Sequence, residues 1–411
     1  MRVLQINQSD ISGGAAIAGY RLHKGLLSYG VESRLLVGKP SVNNDLIKAS
    51  PRKRKLEYLL SFFTINLGFN QIHNLGSFKI NRQSFYQEAD LLNFHNLHAG
   101  GFNYLAITSL TQEKPAVYTL HDMWSFTGRC AYSYDCNRWK IGCGSCPYPH
   151  TYPAVKRDST RLEWKLKNWL YSHSNLTIVT PSQWLAEQAR QSMLNRFQIY
   201  CIPYGIDTKD YQPLERQICR SVLGIPASKN VLMFGAKSFK NSRKGSDLLL
   251  KALSSLPDSF KKETVLLTIG SRSEEIPEIC SIPAINLGYL ENERLQSLAY
   301  SAADLFLFPT RADNLPLVLQ ESMACGTPMI SFDIGGVSDL VRPEVTGYLA
   351  KPEDAQDFCD GIVELLEDWA TRKRMEQNCR AIAVKEYSLE LQAKRYINLY
   401  QQVLDRQTSI L

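Results

Sequence analysis

Short apolar runs alternate with stretches of helical periodicity along most of this chain. The clearest example begins at residues 305–308, where four consecutive apolar residues stop at Pro309. Such a run is typical of a strand whose two faces are both covered in a parallel sheet. Residues 315–324 follow with their apolar positions in helical register, and residues 327–332 are predicted to form the next buried strand. The pattern therefore predicts strand, helix and strand in succession, as in an α/β domain.

The same alternation opens both halves of the chain. We expect a strand over residues 1–7, a helix over 15–29 and a second strand over 33–37. A new strand over 231–235 begins a second series, which leads into the block described above. A chain of 411 residues with two such series predicts two or three domains.

Two acidic residues and two glycines give this block its candidate chemistry. Asp313 lies in the loop after the first strand, and Glu321 lies eight positions later on the predicted helix. Ligands of open α/β sheets bind outside the carboxyl ends of the strands, where a carboxylate can accept two hydrogen bonds from a ribose diol. Gly335 and Gly336 follow the second strand, and we expect a helix from about Ser338 whose N-terminus favours an anion. A diol site and a diphosphate site together predict a nucleotide ligand.

The spacing of these residues resembles the donor site of retaining family 4 glycosyltransferases, which have the GT-B fold. The matching elements are Asp313, then Glu321 after seven intervening residues, and then the segments SMACGTPMI and GGVSDLV. Family members usually carry glutamate where this chain has Asp313, which is one methylene shorter. The resemblance covers most of the chain and implies an α/β protein with two Rossmann-like domains facing each other across a cleft.

The resemblance also implies how the chain is divided. Residues 1–205 would form an N-terminal Rossmann-like domain that binds the acceptor, and residues 206–386 a C-terminal Rossmann-like domain that binds the sugar nucleotide. Residues 387–411 would form a helix that packs back on the first domain. A cysteine-rich insertion at residues 129–149 resembles that of a bacterial exopolysaccharide-type subgroup of the family.

The activity implied by the resemblance is transfer of a hexose, with retention, from a UDP- or GDP-sugar to a glycan or lipid-linked glycan acceptor in polysaccharide biosynthesis. Glu321 would hold the ribose, and Asp313 and His121 would contact the sugar hydroxyls. Arg243 and Lys244 would neutralise the leaving diphosphate, so that catalysis requires no further cofactor. The other donor-binding positions that the resemblance implies are Gly13, Gly14, Asn314, Leu315, Gly335 and Gly336.

Two histidines are candidates for contact with the donor sugar. His95 ends a predicted strand at 91–95, and His121 follows another at 116–120. Both therefore fall at the carboxyl ends of predicted strands, on the same rim as Gly13. His121 matches a histidine that approaches the donor sugar in the resembled family, whereas a purely structural role is the alternative for either residue.

The cysteine-rich insertion contains four cysteines within seventeen residues: Cys130, Cys136, Cys143 and Cys146. The last two form a Cys-x-x-Cys pair with an intervening glycine, a pattern that suits one corner of a tetrahedral zinc site. The first two are spaced less typically. We predict a structural zinc site, with reduced or partly paired thiols as the main alternative and an iron–sulfur cluster as a weaker one.

The net charge of +7 is a mild excess for a chain of this length, and no DNA- or RNA-binding motif accompanies it. We therefore expect anionic substrates or an acidic membrane surface as partners, and no nucleic acid. Because the sequence begins directly with a strand and its longest apolar candidate is too short to span a bilayer, we expect a cytoplasmic protein.

Residues 52–69 carry four basic residues followed by leucines and aromatics. In one interpretation they form a basic amphipathic segment on the anionic inner face of the cell membrane. In the other they form a helical hairpin whose basic tip is solvated and whose aromatic side faces the core. The sequence leaves these two interpretations open.

Two rival functions remain at this level. A noncatalytic sugar-nucleotide-binding subunit of a glycosyltransferase complex is the first, since Asp313 departs from the usual glutamate. A GT-B sugar-nucleotide epimerase is the second, and it would convert the donor without any acceptor.

Overall fold

The computed structural model describes residues 1–98, 101–238, 241–271 and 280–408, which form two compact units. The first unit contains Met1–Gly205 and Glu390–Leu411, and the second contains Ile206–Leu389. Each unit has its own parallel sheet with helices packed against it. The predicted α/β class with two Rossmann-like domains is therefore confirmed.

The first unit contains seven parallel strands among its described residues. They are β1 (Arg2–Ser9), β2 (Glu32–Lys39), β3 (Ile47–Ala49), β4 (Leu91–Phe94), β5 (Ala116–Thr119), β6 (Thr177–Thr180) and β7 (Ile199–Cys201). Their order in the sheet is β3-β2-β1-β4-β5-β6-β7. Every residue of β4, β5 and β6 is buried, as expected for strands covered on both faces.

Helices of the first unit cover this sheet. They are α1 (Gly14–Ser28), α2 (Arg54–Asn66), α3 (Ser84–Glu88), α4 (Ala106–Glu113), α5 (Thr160–Ser172) and α6 (Gln183–Arg190). The largest apolar cluster of this unit joins sheet residues such as Leu4, Leu92 and Phe94 to Ile107 of α4 and Leu185 of α6.

The second unit contains six parallel strands among its described residues. They are β8 (Asn230–Ser238), β9 (Thr264–Ser271), β10 (Ala284–Asn286), β11 (Leu305–Phe308), β12 (Met329–Phe332) and β13 (Gly347–Ala350). Their order is β10-β9-β8-β11-β12-β13. The strand β11 matches the apolar run from which the fold was predicted, and all four of its residues are buried.

The helices that follow along the chain are α7 (Arg216–Val222), α8 (Ser246–Ser255), α9 (Asp258–Glu263), α10 (Glu293–Ala302), α11 (Leu317–Ala324), α12 (Ala355–Glu367), α13 (Trp369–Tyr387) and α14 (Leu389–Thr408). The break between α13 and α14 occurs at Ser388, because Ile206 bonds to both sides of it. The Ile206 amide donates to the Tyr387 carbonyl at 2.8 Å, and the Leu389 amide donates to the Ile206 carbonyl at 2.9 Å.

The helix α14 lies against the first sheet through two tyrosines. The Tyr400 hydroxyl accepts a hydrogen bond from Asn93 Nδ2 at 2.8 Å, and the Tyr396 hydroxyl lies 3.0 Å from Thr119 Oγ1. Both tyrosines are fully buried. The C-terminal helix thus completes the core of the first unit.

Prolines shorten two elements of the predicted strand–helix–strand block. The helix α11 begins at Leu317 and not at residue 315, because a residue that precedes proline, as Leu315 does, is disfavoured in helical conformation. The strand β12 begins at Met329 and not at residue 327, since Pro328 has no amide hydrogen to donate to the ladder.

The prediction of a helix from Ser338 is wrong. Only a three-residue 3-10 turn, Val337–Asp339, follows the glycine pair. The chain then makes a tight turn in which the Thr346 amide donates to the Arg342 carbonyl at 2.9 Å, and β13 begins at Gly347. Thr346 Oγ1 also accepts from the Arg342 amide at 2.7 Å, so these contacts hold the segment in a turn instead of a helix.

Candidate functional site

Two cations and one carboxylate meet in the second unit, next to the carboxyl end of β11. Asp313 Oδ2 lies 2.7 Å from Lys244 Nζ and 2.9 Å from Arg243 Nη1. Burial alone would raise the pKa of Asp313, but the charges of Lys244 and Arg243 outweigh it and lower the pKa to about 2. The carboxylate is therefore ionised at neutral pH, and the cluster keeps one net positive charge.

A close approach between two loops fixes the position of these cations. Gly245 has φ +68°, and a Cβ added to it would lie 1.8 Å from the Pro309 carbonyl oxygen. The Arg243 carbonyl accepts from the Arg311 amide at 2.8 Å and from Thr310 Oγ1 at 3.0 Å. Only glycine allows this contact, because any other residue would need both a left-handed backbone and space that is already occupied.

The Gly335-Gly336 loop packs on the backbone of Asp313 and not around an open anion site. Gly335 has φ +55°, and a Cβ there would lie 2.1 Å from the Asp313 carbonyl oxygen. The Gly336 amide donates to that same oxygen at 3.3 Å. This hydrogen bond would have to break before the amide could bind a phosphate.

Glu321 lies on α11 and is almost completely buried. Its Oε2 accepts a hydrogen bond from the Tyr300 hydroxyl at 3.3 Å. Burial and the adjacent Glu321 hold the pKa of Tyr300 well above its usual value, so the hydroxyl stays a donor. Asn314 and Leu315 are also buried, and the Asn314 amide donates to Asp313 Oδ1 at 3.2 Å.

In the first unit, the predicted glycine loop lies at the N-terminus of α1. Gly13 has φ +95°, and a Cβ added to Gly13 or Gly14 would meet no other atom within 4 Å. The preceding turn is held by the buried Asp10, whose Oδ2 accepts from the amides of Ser41 at 2.6 Å and Val42 at 2.7 Å. The loop is thus firmly anchored on one side and has free space beside both glycines.

The two candidate histidines form a continuous hydrogen-bonded chain. Gln5 Nε2 donates to Ser33, which leaves Gln5 Oε1 to accept from His95 Nε2 at 2.9 Å. His95 Nδ1 then accepts from His121 Nε2 at 3.1 Å, and His121 Nδ1 accepts from the Tyr204 hydroxyl at 2.7 Å. Both ring nitrogens of His121 therefore have protein partners.

Burial keeps both of these rings neutral. It lowers the pKa of His121 to about 4 and the pKa of His95 well below its usual value. The ring centroids of His121 and Tyr204 lie 5.4 Å apart in a stacked arrangement. The network supplies oriented dipoles and shape at this rim, and it adds no positive charge.

His98 and Asp122 form a pair that the sequence did not single out. His98 Nε2 lies 2.8 Å from Asp122 Oδ2, and His98 Nδ1 lies 3.3 Å from the Tyr152 hydroxyl. Both residues line the same small pocket as His95 and His121. The sequence did contain a signal for this pair, because His98 lies three residues after His95 and Asp122 directly follows His121.

The four cysteines of the insertion line one cavity together with Trp139. The Gly128 amide donates to Cys143 Sγ at 3.2 Å, yet all four cysteines are free thiols. Burial raises the pKa of Cys130, and it raises the pKa of Cys143 to about 12, so both thiols are protonated at neutral pH in the absence of a metal ion. Within the described ranges, no three His, Cys, Asp or Glu side chains are placed to hold a metal ion. The predicted zinc site therefore gains no support from this geometry.

Two family models match the chain. The Glycosyltransferase Family 4 model matches residues 12–210, and the Glycosyl transferases group 1 model matches residues 215–382. The chain is a glycosyltransferase. Its group 1 match contains Arg243, Lys244, Asp313 and Glu321, and its family 4 match contains both candidate histidines.

Two relatives illustrate how far the similarity of this glycosyltransferase extends, one over the full length and one over less than half. It is 27% identical to the putative colanic acid biosynthesis glycosyl transferase of Escherichia coli K12, over 98% of this chain and 100% of that protein. A D-inositol 3-phosphate glycosyltransferase of Catenulispora acidiphila is 30% identical, but over only 42% of this chain and 44% of that protein.

Solved structures share the fold at lower identity. Sucrose-phosphate synthase from Thermosynechococcus elongatus has a TM-score of 0.70 at 19% identity, with 99% of this chain and 100% of that chain covered. Anabaena HepE, solved in complex with UDP-glucose, has a TM-score of 0.65 at 16% identity, with both chains fully covered. At such identities the likeness concerns the fold alone.

Proposed function

We propose that this glycosyltransferase transfers a hexose, with retention, from a UDP- or GDP-sugar to a glycan or lipid-linked glycan acceptor in polysaccharide biosynthesis. The observation that carries the proposal is the convergence of Arg243 and Lys244 on Asp313 within the group 1 domain. Support comes from the full-length similarity to a colanic acid biosynthesis protein and from a fold shared with a UDP-glucose complex. We place the reaction in the cytoplasm, at the inner face of the cell membrane.

The charge of the cluster suits a diphosphate. Lys244 and Arg243 together carry two positive charges against the single charge of Asp313, so an incoming anion meets a net attraction. Their side chains are still about one-quarter exposed, which leaves them accessible to a ligand. In the proposed mechanism these two cations, rather than a divalent metal ion, stabilise the leaving diphosphate.

The remaining roles follow from position and chemistry. Glu321 accepts hydrogen bonds from the ribose diol, since its carboxylate is fixed at one end by Tyr300. Asp313 contacts the sugar hydroxyls while it also holds the two cations, and Asn314 and Leu315 line this side of the donor. Gly13 and Gly14 give the acceptor side an open loop, and His121 acts there as a neutral, oriented group.

The proposed reaction takes place on one face of the sugar. The bond between the anomeric carbon and the diphosphate oxygen breaks, and the acceptor oxygen forms its bond from the same side. The departing diphosphate oxygen takes the acceptor proton. No protein nucleophile is invoked, and the cations at Asp313 stabilise the charge that develops on the leaving group.

The test is a panel of UDP- and GDP-sugars, scored by thermal shift and donor hydrolysis, with the wild type, Glu321→Gln and Glu163→Gln. Glu163 is a matched control, because it is a buried glutamate that accepts from a tyrosine hydroxyl in the first unit. We expect one donor to raise the melting temperature of the wild type and of Glu163→Gln but not of Glu321→Gln. A transfer product with inverted anomeric configuration, or equal shifts in all three proteins, would contradict the proposal.

A noncatalytic donor-binding subunit is the second candidate, because Asp313 replaces the usual glutamate and is already paired with two cations. The same panel separates the two. A donor that shifts the melting temperature without any hydrolysis or transfer favours the noncatalytic subunit. Conversion of the donor to another sugar nucleotide without an acceptor would instead identify an epimerase.

The prediction of structural zinc stays open to a direct measurement. Elemental analysis of protein purified without chelators would give about one zinc per chain if the four cysteines bind it, and thiol titration would then find them protected. Cys143→Ser would lose the metal, whereas Cys201→Ser, also partly exposed but outside the insertion, would keep it. Four reactive thiols in the insertion and no zinc would favour the free-thiol alternative.

A further inference from the structure

The helix α2 (Arg54–Asn66) presents large apolar side chains to solvent. Tyr58, Leu59, Phe62 and Phe63 are each between 62% and 78% exposed. Helical spacing puts these four on one continuous face, since they stand at relative positions i, i+1, i+4 and i+5. Glu57 is the one fully buried residue of this helix.

Polar contacts hold the opposite side of α2 against the first unit. The buried Glu57 accepts from the Gly76 amide at 2.6 Å, and Thr64 Oγ1 lies 3.0 Å from His73 Nδ1. An ordinary surface helix has the opposite arrangement: its apolar side packs against the core, and its polar side faces water. The orientation of α2 therefore rules out the sequence-based interpretation in which the aromatic side faces the core.

A cluster of positive charge leads into this face. Arg52, Lys53, Arg54 and Lys55 are all exposed, and Lys55 projects from the same side of the helix as Leu59 and Phe62. No acidic residue of α2 offsets them at the surface, because Glu57 is turned inward. Basic side chains beside exposed aromatics are the combination that binds the headgroup region of an anionic bilayer.

We infer that α2 is a membrane-docking helix, with Tyr58, Leu59, Phe62 and Phe63 entering the interface of a bilayer that contains anionic phospholipid and residues 52–55 contacting its headgroups. Charge complementarity selects this partner over an apolar protein surface, which would not need four adjacent cations. No described helix is long and apolar enough to cross a membrane. The inference extends the proposed function by bringing the enzyme to a lipid-linked acceptor.

The first test is flotation of the full chain with vesicles of phosphatidylcholine, with and without phosphatidylglycerol, in the absence of any donor. We expect binding only to the anionic vesicles and weaker binding at high salt, since the Debye length falls to about 3 Å at 1 M. Phe62→Ser/Phe63→Ser should reduce the partition coefficient by roughly tenfold or more. Lys53→Gln/Arg54→Gln/Lys55→Gln should reduce it about fivefold for each charge removed.

The matched control is Ile218→Ser/Val222→Ser. These two residues are also apolar, about two-thirds exposed and one helical turn apart, on α7 of the second unit. The control should bind vesicles like the wild type. All variants should keep the wild-type melting temperature, because each substitution replaces an exposed side chain.

Three results would overturn the inference. They are no binding of the wild type to anionic vesicles, equal binding by the α2 variants and the wild type, or a dimer that dissociates on Phe62→Ser/Phe63→Ser without any vesicle binding. The last result would assign the face to a second copy of the chain. Donor hydrolysis is measured without vesicles, so a failure here is distinct from a failure of the proposed activity.

Discussion

The two units carry polar clusters at the carboxyl ends of their strands, and the clusters differ in charge. In the second unit, Asp313 is ionised between Lys244 and Arg243, and the cluster keeps a net positive charge. In the first unit, burial holds His95 and His121 neutral within a chain of hydrogen bonds. A diphosphate requires charge, whereas a sugar or an acceptor hydroxyl requires oriented donors and acceptors. The difference supports the assignment of the nucleotide to the second unit.

Removing one cation of the second cluster should have the largest effect. Lys244→Met is expected to lower kcat/KM for transfer by about a hundredfold or more, because a preorganised donor to the leaving diphosphate is lost. Steady-state kinetics with the donor found in the panel measure this. Lys229→Met is the control, since its amine bonds to the Lys262 carbonyl within the same unit. Equal losses in the two variants would remove Lys244 from the donor site.

The second-largest effect is expected on stability, when the carboxylate of Asp313 is neutralised. Asp313→Asn leaves two partly buried cations without their counter-ion, and we expect a loss of about 1–3 kcal/mol in the free energy of unfolding. Because the pKa of Asp313 is lowered to about 2, this contribution is present above pH 3.8 and is lost only as the pH falls towards 2.

Urea unfolding between pH 7 and pH 5 should therefore give the same difference between wild type and Asp313→Asn. Asp210→Asn is the control, since Asp210 faces the exposed Arg294 at 3.8 Å. It should lose less than about 1 kcal/mol. A wild-type advantage that shrinks between pH 7 and pH 5 would mean that the carboxylate is not held ionised by these cations.

The sequence predicted most strongly what depends on local pattern. The run 305–308 became β11 with the same bounds, because four apolar residues before a proline allow few alternatives in a buried sheet. The spacing of Asp313 and Glu321 led to the same family that the group 1 match reports. Strand ends also brought His95 and His121 into one pocket, as expected for parallel neighbours.

Features that depend on tertiary contacts could not be predicted from the local sequence pattern. A turn held by hydrogen bonds between Arg342 and Thr346 replaces the helix expected from Ser338, and the Gly336 amide donates to the carbonyl of Asp313, which is distant in sequence. The direction of the aromatic side of α2 depends on which face finds polar partners, here through Glu57. A periodic pattern gives the width of an apolar face, but it does not say whether the core or a membrane covers that face.

The comparison also predicts that the first cluster is sensitive to acid. The pKa of His121 is lowered from 6.5 to about 4 by burial, so the unfolded state binds a proton that the folded state excludes. Stability from this group is complete above pH 6.5 and is lost as the pH falls towards 4, by about 2 kcal/mol at pH 5. Unfolding of the wild type should thus become easier between pH 7 and pH 5, where the Asp313 contribution is constant.

His121→Gln should flatten part of this pH dependence, and the neighbouring His95 should account for a further part, because its pKa is also lowered. The exposed His173 provides the control, and His173→Gln should keep the wild-type slope. The measurement is the urea midpoint at half-unit steps from pH 7 to pH 5. An unchanged slope in His121→Gln would mean that this ring binds its proton as readily in the folded state as in the unfolded state, and the contrast between a charged donor cluster and a neutral histidine cluster would then fail.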